Sequence, residues 1–294
     1  MKRLLILFFV FITYNSFSQD INGIVRDRSN LKEIAYASIF YKHNNIGTYS
    51  DSTGNFKIQK IKGDTLIVSS MGFEKDFISE VDIRGAIQVN LLPISINLNE
   101  VLVKGSESSK SKKGKKIHLG NFSKRYAHIS GMKGRTVAYL IKPNALVVGK
   151  IASIEYGVKA EADAIVRAHL YTVDGITGKP SDDLIKTPEF ISLKRGSKKL
   201  EIDLNHLNVE LPSGGVFVGL EWIGEIKNNK LINISPIYTC SKSTEPVTVY
   251  IKFMDKNWEL VPKRKVNIPY GQKAKNNLEQ FFFEEPNFKI MLIQ

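Results

Sequence analysis

Two stretches of the chain alternate apolar residues with polar and aromatic ones that could bind a ligand. Arg167, His169 and Tyr171 alternate with apolar residues in the first stretch, and Tyr250 and Lys252 do so in the second. Successive side chains of a strand point to opposite faces, so each set shares one face. Aromatic rings beside hydrogen-bonding groups suit sugars or peptides. If the two strands are neighbours, the sequence predicts a ligand-binding face; the alternative is an ordinary solvated face.

The two tryptophans are expected to have different roles. Trp222 is in phase with Val216, Val218 and Leu220, which predicts that its indole lies in the core. Trp258 lies between Asn257 and Glu259, which places it near a strand end. It therefore joins the candidate ligand-binding residues.

Three carboxylates flank a glycine-containing turn and are the weak candidates for a cation site. Asp174, Asp182 and Asp183 could supply oxygen ligands to calcium, which takes six to eight of them. Their spacing matches no standard calcium loop. Asp commonly closes turns by accepting hydrogen bonds from its own backbone, so the pattern favours turn carboxylates.

The sequence predicts no catalytic set and no cofactor. A zinc hydrolase needs closely spaced His and Glu ligands, and no histidine of this chain has a Glu three residues on. No Gly-x-Ser-x-Gly nucleophile elbow occurs either. A non-catalytic protein is the main interpretation, and a cryptic hydrolase remains an alternative.

Short alternating or apolar runs separated by turn residues predict an all-β protein. Turns recur at spacings of roughly 8 to 12 residues, as in β-sandwiches, and not as in alternating strand–helix units. The clearest predicted strands are 66–70, 87–92, 136–141, 146–156, 164–173, 216–223 and 247–254.

A lysine- and serine-rich run separates two predicted domains. Residues 104–117 carry six lysines against Glu107, within a chain of net charge +13. The stretch 106–116 has no apolar side chain, so it is expected to form a flexible linker. Its basic part, Lys110–Lys116, could touch an anionic envelope surface. No aromatic residue is interleaved, which argues against nucleic-acid binding.

The first 18 residues read as a secretory signal. Lys2 and Arg3 precede the apolar run 4–12, and small residues at Ser16 and Ser18 predict cleavage after Ser18. The run is shorter than the about 20 residues that span a bilayer. No cysteine lies in this leader, which argues against a lipoprotein anchor. Cys240 is the one cysteine and is expected to be a buried thiol.

The segment from Ile21 to Phe73 carries a family resemblance. Its Ile-Asn-Gly-Ile-Val-Arg-Asp start, the run Gly47–Phe56 and the run Leu66–Phe73 are similar to the carboxypeptidase-regulatory-like domain of exported Bacteroidetes proteins. That resemblance implies a seven-stranded transthyretin-like (prealbumin-like) β-sandwich over residues 19–103. Its residues would shape a fold and perform no catalysis. By its turn residues, the stretch from Gly47 to Gly54 also predicts a hairpin.

A second resemblance lies at the end of this domain. Residues 98–105 look like the Leu-x-Glu-Val-Val-Val-x-Gly segment that follows the same domain in TonB-dependent outer-membrane receptors. Only 189 residues follow Gly105, too few for a receptor barrel, so receptor activity is not implied. The segment predicts either a last strand or an extended docking segment that adds to a partner's sheet. The docking candidates are Leu98, Glu100, Val101 and Val103.

Residues 118–294 are expected to form a second, jelly-roll-like sandwich of eight to ten strands. The stretch from His169 to Pro180 resembles a hairpin of such domains in exported bacterial proteins. The sequence thus predicts a periplasmic or outer-membrane-associated binding or adaptor protein. Its partner would be a glycan, a peptide or an envelope protein. The alternative is a purely structural component of an envelope assembly.

Overall fold

The computed structural model describes most of the chain in eleven ranges, and no helix within them is long and apolar enough to span a membrane. The chain divides into two compact units, residues 1–93 and 94–294, which are described separately. The described ranges are 20–94, 115–121, 127–130, 132–144, 147–186, 190–227, 230–232, 237–243, 246–262, 264–265 and 281–294.

The first unit is a seven-stranded β-sandwich within residues 20–94, as predicted. One sheet has the order β4-β1-β7 and the other the order β3-β2-β5-β6, and all pairs are antiparallel except β1–β7. A single 3₁₀ turn, Glu80–Asp82, follows β6. The strands are β1 (Asp20–Asp27), β2 (Ser38–Tyr41), β3 (Gly47–Tyr49), β4 (Asn55–Gln59), β5 (Thr65–Ser69), β6 (Asp76–Ser79) and β7 (Ile87–Leu91).

Alternation along these strands fills the core between the two sheets. Ile39, Leu66 and Val89 are buried in one apolar cluster, and Phe56 returns to it as β4 begins. The predicted turn after β3 is present, because Asp51 accepts hydrogen bonds from the backbone of its own turn. The hairpin prediction is wrong, however. β3 and β4 belong to different sheets, so the turn carries the chain across the sandwich.

The buried Asp64 carboxylate links the β2–β3 turn to the start of β5 through hydrogen bonds. Asp64 accepts hydrogen bonds from Asn44 Nδ2 at 2.7 Å and from the Thr65 backbone N–H at 2.7 Å. His43 lies beside it, with Nδ1 2.9 Å from Oδ1. Burial alone would raise the pKa of Asp64, but the hydrogen bonds outweigh it and lower the pKa to about 2. The fold therefore favours the ionised carboxylate.

We expect the first unit to lose stability in acid through Asp64. A lowered pKa gives a stabilising contribution that is complete above about pH 3.8 and is lost as the pH falls through about 2. The Asp64→Asn variant should be less stable than wild type by about 1 to 2 kcal/mol at pH 7, and the gap should close near pH 2. Amide hydrogen exchange of β5 at several pH values measures it. A gap that stays constant with pH would contradict this role.

The second unit consists of sixteen strands within the described residues, more than the eight to ten predicted. Several are short additions of two to four residues beside long central strands. One 3₁₀ turn, Asn205–Leu207, follows β15. The strands are β8 (Lys116–Gly120), β9 (Ala127–Ser130), β10 (Arg135–Ile141), β11 (Lys150–Lys159), β12 (Ala164–Val173), β13 (Pro180–Asp183), β14 (Phe190–Leu193), β15 (Lys199–Asp203), β16 (Val216–Lys227), β17 (Lys230–Ile232), β18 (Ile237–Ser243), β19 (Val249–Phe253), β20 (Glu259–Leu260), β21 (Arg264–Lys265), β22 (Phe281–Pro286) and β23 (Phe288–Ile293).

These strands form two sheets around one core, which makes the unit a β-sandwich. The front sheet has the order β13-β12-β16-β10-β19-β20, with β14 beside β12 and β17 beside β16. The back sheet has the order β21-β22-β18-β11-β23-β8, with β15 beside β11 and β9 beside β18. Val166 and Trp222 of the front sheet share an apolar cluster with Ile154 and Phe288 of the back sheet. Trp222 is thus a core residue, as predicted.

Two further sequence expectations concern the boundary of the linker and the cysteine of this unit. Strand β8 begins at Lys116, so the last two residues of the predicted linker are strand residues instead. Lys116 and Ile117 pair with Ile293 and Leu292, because the alternating start of β8 can complete the edge of the back sheet. Cys240 is a buried thiol, as expected.

Candidate ligand-binding face

The candidate strands belong to one sheet but are not neighbours, which corrects the premise of the prediction. β16 and β10 lie between β12 and β19. The register aligns the outward residues in rows across the four strands, and successive rows are two residues apart. One row runs Arg167, Glu221, Thr136, Lys252; the next runs His169, Gly219, Ala138, Tyr250.

Small residues on the middle strands β16 and β10 allow side chains of β12 to approach those of β19. A Cβ on Gly219 would lie 2.9 Å from Tyr171 Cε2 and 3.0 Å from His169 Cβ, so only glycine leaves room for both. The Tyr171 ring lies edge-on to Trp258, with centroids 5.2 Å apart. The ammonium of Lys252 lies over both rings, 5.2 Å from the Tyr171 centroid and 4.6 Å from that of Trp258. We call Tyr171, Lys252 and Trp258 the aromatic–lysine cluster.

An apolar patch supports this cluster on the outer face. Ala138, Tyr171, Phe217 and Tyr250 form a buried group separate from the sandwich core, and Trp258 packs against it. Phe217 and Tyr250 meet edge-on, with centroids 5.7 Å apart. Such edge-to-face pairs fix the ring planes and hold the exposed end of the cluster in place.

Beside the aromatic–lysine cluster lies a group of four charged or ionisable side chains, the outer-face charge network. Arg167 Nε donates to Glu221 Oε2 at 2.6 Å. His169 lies between two carboxylates: its Nε2 is 3.0 Å from Glu221 Oε2, and its Nδ1 is 2.6 Å from Asp183 Oδ2. Asp183 also accepts the backbone N–H of Leu170. The network joins β12, β16 and β13 and stacks His169 on Tyr171, with ring centroids 5.1 Å apart.

This face is largely buried, so the alternative of an ordinary solvated face does not describe it. His169 is 3% exposed, Tyr171 4% and Glu221 2%. Long side chains of the outer rows cover one another, which alternation alone does not reveal. Arg167, Lys252 and Trp258 are half-buried and form the accessible part of the face.

Burial changes the ionisation of the cluster. Desolvation lowers the pKa of Lys252, and the nearby Glu221 and Asp255 charges oppose it only in part. Desolvation also raises the pKa of Tyr171 well above its usual value, with Asp183 and Glu221 adding to the effect. Both shifts show that charge on this face is costly unless it finds a counter-charge.

Two buried polar groups of this face have no hydrogen-bond partner among the described residues. They are the Tyr171 hydroxyl and the Thr136 hydroxyl. Buried polar groups in folded proteins are nearly always hydrogen-bonded, so each needs an explanation such as water or a ligand. Thr136, Gly219 and Glu221 were not predicted as site residues. Along their strands these residues alternate with core residues and therefore face outward. That alternation is the sequence signal that could have identified them.

The three candidate calcium carboxylates have separate roles. Asp174 accepts hydrogen bonds from the Thr177 hydroxyl and from the backbone N–H groups of Thr177 and Ile176, which close the β12–β13 turn and lower the pKa of Asp174. Asp183 faces His169, and Asp182 is exposed on β13. Among the described residues, no three His, Cys, Asp or Glu side chains are grouped as metal ligands. The turn interpretation thus describes Asp174, and the calcium interpretation has no geometric support in the described ranges.

The predicted docking candidates Leu98, Glu100, Val101 and Val103 lie outside the described residues, so their role stays a prediction. The same holds for the basic residues 110–114, and of the stretch Lys110–Lys116 only Lys115 and Lys116 are described.

Comparisons with known proteins bear on the first unit. No curated protein matches the chain. A crystal structure described as a "putative carbohydrate binding protein" from Bacteroides uniformis is similar to 79% of this chain and 98% of its own, with 11% identity and a TM-score of 0.22. A TM-score this low does not establish a common fold. Residues 21–103 match the family model described as CarboxypepD_reg-like domain, and 20–94 form the sandwich that the resemblance implied. Residues 21–103 are therefore similar to the carboxypeptidase-regulatory-like domain.

Proposed function

We propose that this protein is a non-catalytic binding protein of the bacterial cell envelope, located in the periplasm or at the outer membrane. Its second unit would bind a glycan on the outer face of the front sheet. The observation that carries the proposal is the aromatic–lysine cluster, where Lys252 lies over the Tyr171 and Trp258 rings. The family of the first unit and the leader-like start of the sequence support export.

A glycan fits this face better than a peptide does. Peptides that bind sheets usually pair with a free strand edge. The four strands β12, β16, β10 and β19 are each paired on both sides, so Tyr171 and Lys252 lie on the face of the sheet and not on an edge strand. The accessible Trp258 ring, beside the charged groups of Lys252 and Arg167, matches the apolar ring faces and hydroxyl groups of sugars.

We expect the Trp258→Ala variant to lose at least tenfold in affinity for the glycan that wild type binds. A tenfold loss of affinity corresponds to about 1.4 kcal/mol, which is within the range that one aromatic contact contributes. Binding of the full-length mature chain to a glycan array, followed by calorimetry on the best glycan, measures it. The Ile176→Ala variant is the matched control, since Ile176 is 96% exposed in the β12–β13 turn. Equal binding by the Trp258 variant would refute this site.

A further inference from the structure

The ammonium of Lys252 distinguishes this face from a neutral sugar platform. Among the described residues, Lys252 has no carboxylate within ion-pair distance, and its contacts are the Tyr171 and Trp258 rings. The nearest acidic residue in its row, Glu221, is already engaged by Arg167 and His169. Glu221, Asp255 and Asp183 favour the ammonium from a distance, but burial outweighs them and lowers its pKa. A half-buried cation without a direct ion pair is unfavourable, because burial removes water without replacing its hydrogen bonds.

We propose that the ligand is an acidic glycan whose uronate carboxylate pairs with Lys252, an inference that rests on the glycan-binding function proposed above. A carboxylate in direct contact would give the ammonium a counter-charge and hydrogen-bond acceptors. The described protein residues do not supply these at contact distance. Burial disfavours the charged ammonium in the free protein and lowers its pKa. A bound carboxylate would offset that cost, which favours the complex.

The neighbouring groups fit a sugar that carries such a carboxylate. The sugar ring would lie against Trp258, where Lys252 is also held. The Thr136 hydroxyl, in the same row as Lys252, is fully buried without a partner among the described residues, so it would reach a ring hydroxyl only through a bridging water. An acidic peptide could also pair with Lys252, but it lacks the apolar sugar-ring face that would lie against Trp258.

The test compares charged and neutral forms of the same sugars. Oligosaccharides of homogalacturonan, alginate and hyaluronan, and their carboxyl-reduced counterparts, are titrated into the mature chain at about 150 mM salt, where exposed charges beyond about 8 Å are screened. We expect at least one acidic sugar to bind at least tenfold tighter than its reduced form. The Lys252→Met variant should bring that ratio to about one. The Lys256→Met variant should keep it, since Lys256 lies over Phe253 instead.

Each other outcome overturns a defined part of the proposal. Equal binding of acidic and reduced sugars, or an unchanged ratio in the Lys252 variant, would refute the carboxylate contact and leave glycan binding in place. Competition by tetraglutamate as strong as by the sugar would identify an acidic peptide as the ligand class. Binding of no acidic or reduced sugar, with no glycan bound on the array, would refute the proposed function itself. Thermal unfolding of both variants verifies that they are folded.

Discussion

The Glu221→Ala variant is expected to destabilise the second unit by about 3 to 5 kcal/mol, the cost of leaving a buried ion pair with one partner. Glu221 is 2% exposed and contacts both Arg167 and His169. Without its carboxylate, Arg167 and His169 both lose their contact to Glu221, and His169 keeps its contact to Asp183. Denaturant unfolding followed by tryptophan fluorescence measures this loss selectively, because both tryptophans lie in the second unit.

Two companion variants distinguish the loss of the buried ion pair from the general effect of removing an acidic side chain. Glu259→Ala removes an exposed glutamate from β20 and should change stability by less than about 0.5 kcal/mol. The double variant Arg167→Met with Glu221→Met should recover part of the loss, since apolar groups can replace a buried pair at little cost. A Glu221→Ala effect as small as that of Glu259→Ala would show that the outer-face charge network contributes little to folding.

The second large effect is expected at Tyr156, which connects the two sheets. Its side chain is fully buried, and its hydroxyl crosses from β11 to donate to the Gly219 carbonyl of β16 at 2.9 Å. Its ring meets Phe288 edge-on, with centroids 4.9 Å apart. Tyr156→Ala should cost about 3 to 5 kcal/mol through the lost contacts and the cavity.

Tyr156→Phe divides that cost into its two parts. It keeps the ring and removes the hydroxyl, so it should cost only about 0.5 to 1.5 kcal/mol. Tryptophan-monitored unfolding compares the two variants. If Tyr156→Phe costs as much as Tyr156→Ala, then the hydrogen bond to Gly219, and not the packing of the ring, maintains the sandwich here. That result would link the core directly to the glycine over which Tyr171 lies.

Much of the fold follows from local rules. The stretch 164–173 is strand β12 as predicted, because alternation of apolar and polar residues requires a half-buried pleat. The turn residues at Asp51 and Gly54 identified a turn correctly, since Asp accepts its own backbone and Gly54 has a φ of 76°. They did not identify which strands pair across it, because pairing depends on contacts far along the chain.

The same division applies to the candidate site. The sequence indicated that Arg167, His169 and Tyr171 share a face, since they are two residues apart on one strand. It did not indicate that Glu221 would lie beside them, because that contact spans 52 residues between His169 and Glu221. Nor did it indicate burial of the face, which arises from side chains of different strands covering one another.

The all-β class, the similarity of residues 21–103 to the carboxypeptidase-regulatory-like domain and the faces that carry polar and aromatic side chains were all predictable from the sequence. These properties depend on neighbours a few positions apart, where backbone geometry fixes side-chain direction. Only the tertiary structure decided that β16 and β10 separate β12 from β19, and that Gly219 lets Tyr171 reach toward Lys252 and Trp258. Strand order and ring contacts depend on the packing of the whole sandwich, because residues distant in sequence must fill one space together.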